Sequence, residues 1–318
     1  MRRRALYVLT LIAAALGLSL PSCSSGAQPE RRLRVAVLPI LDSLPLYVAD
    51  VEGFFAEEGI EVELITASSA AERDQLLQAG QVDTVITDLV SLALVNRDET
   101  RLVAVRYAMV PTADFAQFRI LASPDADVQS PADLADVAIG VSEGTVIEYV
   151  TDRLLAAEGL SPDRIETLAV PKIPDRMALL TAGELAAATL PEPLGSLALQ
   201  QGAQLVIDDT AHPEVSCSIF AVRAGVLADQ PGVVQSFVRA IDRAGAAIND
   251  DKAGWADLLS EKRIVPTPLI GSYTLPDFPA PAVPTEAQYF DIAAWLRETG
   301  RLDAAPAYGD VVNDEYLK

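Results

Sequence analysis

Short apolar runs alternate with amphipathic stretches along this chain, and that alternation constrains the fold more than any other feature. RVAVLPI at 34–40 reads as a buried strand. In LPLYVADVEGFFAEEG, which leads to Gly59, Leu44, Val48, Val51 and Phe55 recur at helical spacing, with Pro45 in the first turn. IEVELITA, a helix over SSAAERDQLLQAG, VDTVIT, a helix over DLVSLALVNR and the strand TRLVAVRYA continue the series. Strands this apolar need cover on both faces, which predicts a doubly wound α/β layer. VPTADFAQ, at 110–117, has a proline and little periodicity, and predicts a crossing into a second α/β unit that runs from FRILAS to AQLVIDD. TAHPEVSCSIFAVRAG predicts a return crossing and a strand. The expected organisation is one lobe from 33–109 with 215–318 and another from 110–214. Two crossings let lobes hinge without sliding apart.

The chain also repeats itself faintly. ERDQLLQAGQVDTVITD at 72–88 resembles DRMALLTAGELAAATLPE at 175–192, with Arg73 and Arg176 103 residues apart. Any two helix-turn-strand units share some likeness; alternatively the lobes are built alike, and Asp88 and Glu192 face each other across one cleft.

The N-terminus reads as targeting sequence. MRRR precedes an uncharged, mostly apolar stretch at 5–20, and LPSC follows. This looks like a bacterial lipoprotein signal: 1–22 removed, Cys23 lipidated, and 23–32 left as a tether. A stretch that short is marginal as a membrane span. Cys217 is then the only other cysteine, so no intrachain disulfide is expected.

Several function classes are disfavoured. A formal net charge of -21 argues against nucleic acid. With one histidine, His212, and two cysteines, a conventional zinc site is not expected, nor is any cofactor. The glycines form no dinucleotide or phosphate fingerprint, and no nucleophile elbow is present. Asp88 and Glu192 could act as an acid/base pair, or simply accept a ligand's N–H and O–H groups.

Candidate ligand groups lie at strand ends, where open α/β sheets hold ligands. They are Asp42 and Ser43 after the first strand, Ser68 and Ser69 after the second, and Thr87 and Asp88 after the third. Arg106 and Tyr107 close the fourth, and Glu192 follows a strand of the second lobe. Ser142, Glu143, Gly144 and Thr145 open a helix, whose free N–H groups could receive an anion or merely be capped. Tyr47 and Tyr149 are candidate aromatic walls.

LDSLPLYVADVEGFFAEEGIEVEL, SAAERDQLLQAGQVDTVITD, VAIGVSEGTVIEYV and RMALLTAGELAAATLPEP together resemble a known family. It is that of the periplasmic-type solute-binding lipoproteins of ABC importers, in the nitrate/sulfonate/taurine and thiamine-pyrimidine-precursor (SsuA-like, NMT1-like) superfamily. The resemblance spans 34–221. It implies a type II binding-protein fold and a small solute closed in the interlobe cleft. It also implies delivery by a membrane-tethered monomer to a membrane permease with a cytoplasmic ATPase. By the same resemblance, family loops fall on 41–45, Ser69 with Ala70, Thr87 with Asp88, 142–145, and Glu192 with Pro193. The pyrimidine-synthesising enzymes of the superfamily use a cysteine-rich motif and a histidine constellation, which this chain lacks. The rim acids Asp42, Asp88, Glu143 and Glu192 favour an organic solute bearing nitrogen donors over a bare oxyanion, and an aminosulfonate such as taurine, its sulfonate at 142–145 and its amine toward a carboxylate, stays open. A carboxylate-based extracytoplasmic hydrolase or transferase, or a sensory lipoprotein, are the alternatives.

Overall fold

The computed structural model describes residues 31–318. The expected signal sequence, Cys23 and all but the last two residues of the tether lie outside the described residues. Ten strands occur: β1 Arg32–Val37, β2 Glu61–Thr66, β3 Thr84–Thr87, β4 Leu102–Met109, β5 Phe118–Ala122, β6 Ala138–Val141, β7 Glu166–Ala169, β8 Ala187–Pro191, β9 Gln204–Asp208 and β10 Ser218–Arg223. They form two five-stranded sheets, ordered β2-β1-β3-β10-β4 and β7-β6-β8-β5-β9. β1 pairs in parallel with β2 and β3, and β6 in parallel with β7 and β8. β10 enters the first sheet antiparallel to both β3 and β4, and β5 is antiparallel to both β8 and β9. Each sheet therefore receives one reversed strand directly after a chain crossing.

Local chemistry explains the elements. Ser69 caps the helix Ala70–Gln78 by accepting the Glu72 amide at 3.2 Å, and Asp88 caps Leu89–Val95 by accepting the Ser91 amide at 2.8 Å. The helix expected over 44–59 is instead two, Leu44–Val51 and Phe54–Glu57. Gly53, at φ 75°, takes the left-handed conformation that ends the first of them. Each lobe contains its own copy of one buried contact. Arg73 Nη1 donates to the Ile86 carbonyl at 3.1 Å, and Arg176 Nε donates to the Thr189 carbonyl at 2.9 Å, each across 13 residues. The faint sequence repeat is a structural one.

The first sheet is covered on one face by the long helix Pro231–Asp250. Its Phe237 ring lies 5.9 Å from Phe55 and 5.8 Å from Phe220. A second core cluster runs continuously from Leu92 of the first lobe through Trp295 to Ile139 and Leu154 of the second. The two crossings are tied by one buried carboxylate. Asp209 accepts the Gln117 amide at 2.9 Å and the Phe118 amide at 3.1 Å, together with the Ser216 hydroxyl. Burial pushes its carboxyl up to about 7, the donors pulling the other way.

Candidate ligand-binding site

A cavity of about 320 Å³ lies where the edges of the two sheets meet. The chain leaving β1 contributes Asp42, the start of the helix after β2 contributes Ser69 and Arg73, the end of β3 contributes Thr87 and Asp88, and the end of β8 contributes Glu192. The reversed strands contribute their beginnings, Gln117 just before β5 and Ser218 at the start of β10. Ile40, Met109, Phe115, Phe118, Ile147 and Ile173 supply apolar wall.

The polar groups differ in how far the protein has already satisfied them. Glu192 is committed: its carboxylate accepts Arg119 Nε at 2.7 Å, the Ser196 hydroxyl at 2.6 Å and the Tyr273 hydroxyl at 3.1 Å. Asp88 is partly committed, to the amide and the hydroxyl of Ser91. Burial nevertheless raises its carboxyl above the ordinary range, with the Ser91 amide and the Arg73 charge opposing. Arg73 is spoken for by Asp74, at 2.8 Å, and by the Ile86 carbonyl.

The uncommitted set is different. Asp42 is buried, and burial raises its carboxyl; the Ser218 hydroxyl is near enough to temper this without forming a hydrogen bond. Among the described residues Ser218 Oγ and Gln117 Oε1 have no hydrogen-bond partner, although each residue is only 7% exposed. Buried polar atoms left open in this way are costly, and these two belong to residues that line the cavity. Cys217 also lines the cavity, and burial, with Asp88 adding to it, pushes its thiol well up.

Of the expected site residues, the structure brings together Asp42, Ser68, Ser69, Thr87, Asp88 and Glu192. The others lie elsewhere. Ser43 is fully buried and does not line the cavity, and its hydroxyl has no partner among the described residues. Arg106 is turned away from the cleft and buried against the long helix, where it is held by Asp242 and by the Pro279 carbonyl at 2.9 Å. Strand alternation explains this: Tyr107, its neighbour, projects to the opposite face and bonds Gln288 at 2.6 Å.

The turn of Ser142, Glu143, Gly144 and Thr145 is capped internally and does not line the cavity. The Gly144 amide donates to Glu148 Oε2 at 2.5 Å, the Ile147 amide to Thr145 Oγ1 at 3.2 Å, and Arg301 neutralises Glu148 at 2.8 Å. Ser142 accepts Arg176 Nη1 at 3.0 Å and donates to the Pro171 carbonyl at 3.1 Å, and Glu143 is exposed. Neither expected tyrosine forms a wall. Tyr47 lies 5.4 Å under Lys262, and Tyr149 packs edge-on against Trp295. The aromatic lining is Phe115 and Phe118. His212 sits in the return crossing, 3.4 Å from Glu158 and outside the cavity.

Two α/β lobes, two crossings and a cleft with open polar groups define the type II periplasmic binding-protein class. The chain belongs to the NMT1-like family, whose model matches residues 26–260. A curated relative is the formylaminopyrimidine-binding protein of Halalkalibacterium halodurans, 26% identical over 169 residues, or 51% of this chain. The chain spans about half the length of that relative (49%). Among solved structures, the periplasmic aliphatic sulphonate binding protein SsuA from Escherichia coli superposes with a TM-score of 0.75 at 19% identity, covering 90% of this chain and 93% of its own. The desulfurization enzyme DSZB superposes with a TM-score of 0.67 at 19% identity, covering 90% and 97%.

Proposed function

We propose that this protein is the solute-binding component of an ABC importer and takes up a small, largely apolar organic solute bearing nitrogen donors. The observation that carries this reading is the interlobe cavity. Its apolar walls surround three uncommitted polar groups, the Asp42 carboxyl, Ser218 Oγ and Gln117 Oε1. Ring or amine N–H groups would complete Asp42 and Gln117, and the rest of the solute would fill the apolar wall. A bare oxyanion would meet three carboxyls, of which only Glu192 is neutralised, by Arg119, and no free cation among the described lining residues, since Arg73 is paired with Asp74. The formylaminopyrimidine-binding relative points the same way.

Membrane delivery fits the rest of the chain. In this reading Cys23 carries the lipid anchor and the partners are a membrane permease and a cytoplasmic ATPase. Among the described residues no helix is long and apolar enough to cross a membrane. Replacing Cys23 with serine should release the protein from the membrane fraction and abolish fatty-acid labelling; labelling that persists would refute the anchor.

An enzyme on this fold has less support. Glu192 is tied up by three donors, which leaves it unable to act with Asp88 as an acid/base pair. A nucleophilic cysteine needs a lowered thiol pKa, and that of Cys217 moves the other way. Mass spectrometry of solute copurifying with gently isolated protein, followed by calorimetry with an aminopyrimidine, taurine and nitrate, tests the proposal. Tighter binding of nitrate than of either nitrogen-bearing solute would overturn the solute class.

A further inference from the structure

The cleft does not end at the inner cavity. A second chamber of about 370 Å³ adjoins it, and the two share Pro39, Ile40, Ile173, Pro191, Glu192 and Leu194 in their walls. Its far side is the segment following the helix Ala256–Glu261, which contributes Arg263 and Thr267, with Ser260 from the helix itself. Glu192, the acid common to both chambers, is already neutralised by Arg119.

Arg263 is unusual in two independent ways. Its φ is 55°, one of two non-glycine residues with positive φ among those described. It sits just past the helix end, where the Ile264 amide reaches back to the Leu259 carbonyl at 2.9 Å and the Arg263 amide to the Ser260 carbonyl at 3.1 Å. That is the left-handed closing position glycine ordinarily fills, since a side chain there strains the backbone. A cation near a helix C-terminus is favourable, but Lys262 already supplies one without the strained conformation. Moreover, the exposed Arg263 guanidinium has no hydrogen-bond or ion-pair partner among the described residues, whereas Lys262 is paired with Glu261 at 2.8 Å. A strained backbone thus holds an unpaired guanidinium on the wall of a chamber that opens from the ligand cavity.

We infer that Arg263 is an anion subsite, so that the cleft takes a two-part solute. The nitrogen-bearing head lies in the inner cavity, and a carboxylate or similar anionic arm lies in the outer chamber against Arg263, with Ser260 and Thr267 as hydroxyl donors. This deepens the proposed function and rests on its head-group assignment. It also gives the anionic end of an amphoteric solute a place that the capped turn at Gly144 does not offer.

The test uses two probes that differ only in the arm: an aminopyrimidine carrying a propyl chain, and the same ring carrying a propanoate chain. Calorimetry is run on wild type, Arg263→Gly and Arg263→Gln. Wild type should prefer the propanoate probe about tenfold, the scale of one charge-assisted contact. Both variants should lose that preference while binding the propyl probe as wild type does. Arg263→Gly should also keep or raise the apo melting temperature, because glycine suits the backbone, so lost affinity would not be lost folding. A propanoate preference that survives in both variants overturns the subsite and leaves the head-group reading standing. Failure of wild type to bind either probe overturns the head-group reading, and the subsite falls with it.

Discussion

At the scale of single residues, the site is organised by which polar groups the protein has satisfied and which it has left open. Asp42 and Asp88 are carboxyls whose pKa values burial raises. A cationic solute needs the ionised acceptor, so its affinity should fall as pH is lowered through those raised values. Titration downward from neutral pH with an amine probe would show it, and a flat profile would remove both acids from the contact. The same shift has a consequence for stability. The folded chain holds a proton that the unfolded chain, with an aspartate pKa of about 4, has released, so the advantage fades as pH rises through the folded value. Asp42→Asn, permanently neutral, should therefore gain stability relative to wild type as pH rises, while losing amine affinity. Gly144 gives the opposite pattern. Its φ of 72° and its amide bond to Glu148 make Gly144→Val a folding defect of about 1–2 kcal/mol with solute affinity unchanged. Residue chemistry legible in the sequence stopped at type and approximate position. Asp42, Ser69, Thr87 and Asp88 could be placed at the cleft because each follows a parallel strand. Whether a carboxylate is open or already bonded, as Glu192 is to Arg119, depends on partners 73 residues away.

At the scale of elements, the two reversed strands explain what the sequence pattern missed. A search at strand ends finds the exits of β1, β3 and β8, but β5 and β10 run the other way and bring their starts to the same edge. Gln117 and Ser218 enter the cavity by that route, and the available signal was their position directly after a predicted crossing. The same crossings meet at Asp209. Removing its carboxylate in Asp209→Ala would leave two buried amides without their acceptor. Urea melts should record a loss of about 3 kcal/mol. Asp209→Asn addresses the charge. With the wild-type carboxyl raised to about 7, the folded state binds a proton that the unfolded state lacks between about pH 4 and pH 7. Wild-type stability relative to the asparagine variant should decline as pH rises through that window and level off above it. A pH-independent difference between the two would show that Asp209 ionises normally in the hinge.

At the scale of the molecule, the periodicity announced two lobes but not what joins them beyond the crossings. The helix Glu286–Glu298 shows an ordinary amphipathic pattern, and nothing in it tells which partner it meets. In the structure it meets both lobes. Gln288 accepts the Tyr107 hydroxyl of β4, while Trp295 Nε1 donates to Asp152 at 2.7 Å and Asp291 accepts the Tyr149 hydroxyl at 2.6 Å, both on the helix Val146–Ala157. Trp295 is 2% exposed and belongs to the core cluster that continues through both sheets. Lobes sharing buried apolar core should unfold together, because neither can open without exposing surface that the other covers. Scanning calorimetry should therefore give one transition for the whole folded unit, with equal calorimetric and van't Hoff enthalpies. Trp295→Ala removes a large buried ring and strands the Asp152 carboxyl, which burial already holds above its ordinary range. Its cost should be about 3–5 kcal/mol, and it should act on the single transition instead of splitting it. Two resolved transitions in the wild type would mean that the shared core does not couple the lobes. A saturating solute, binding only the folded form, should raise the same transition, by about 2.7 kcal/mol at a hundredfold excess over Kd. Because the cavity is walled by both lobes, that gain should appear in the first transition of any variant whose lobes unfold separately.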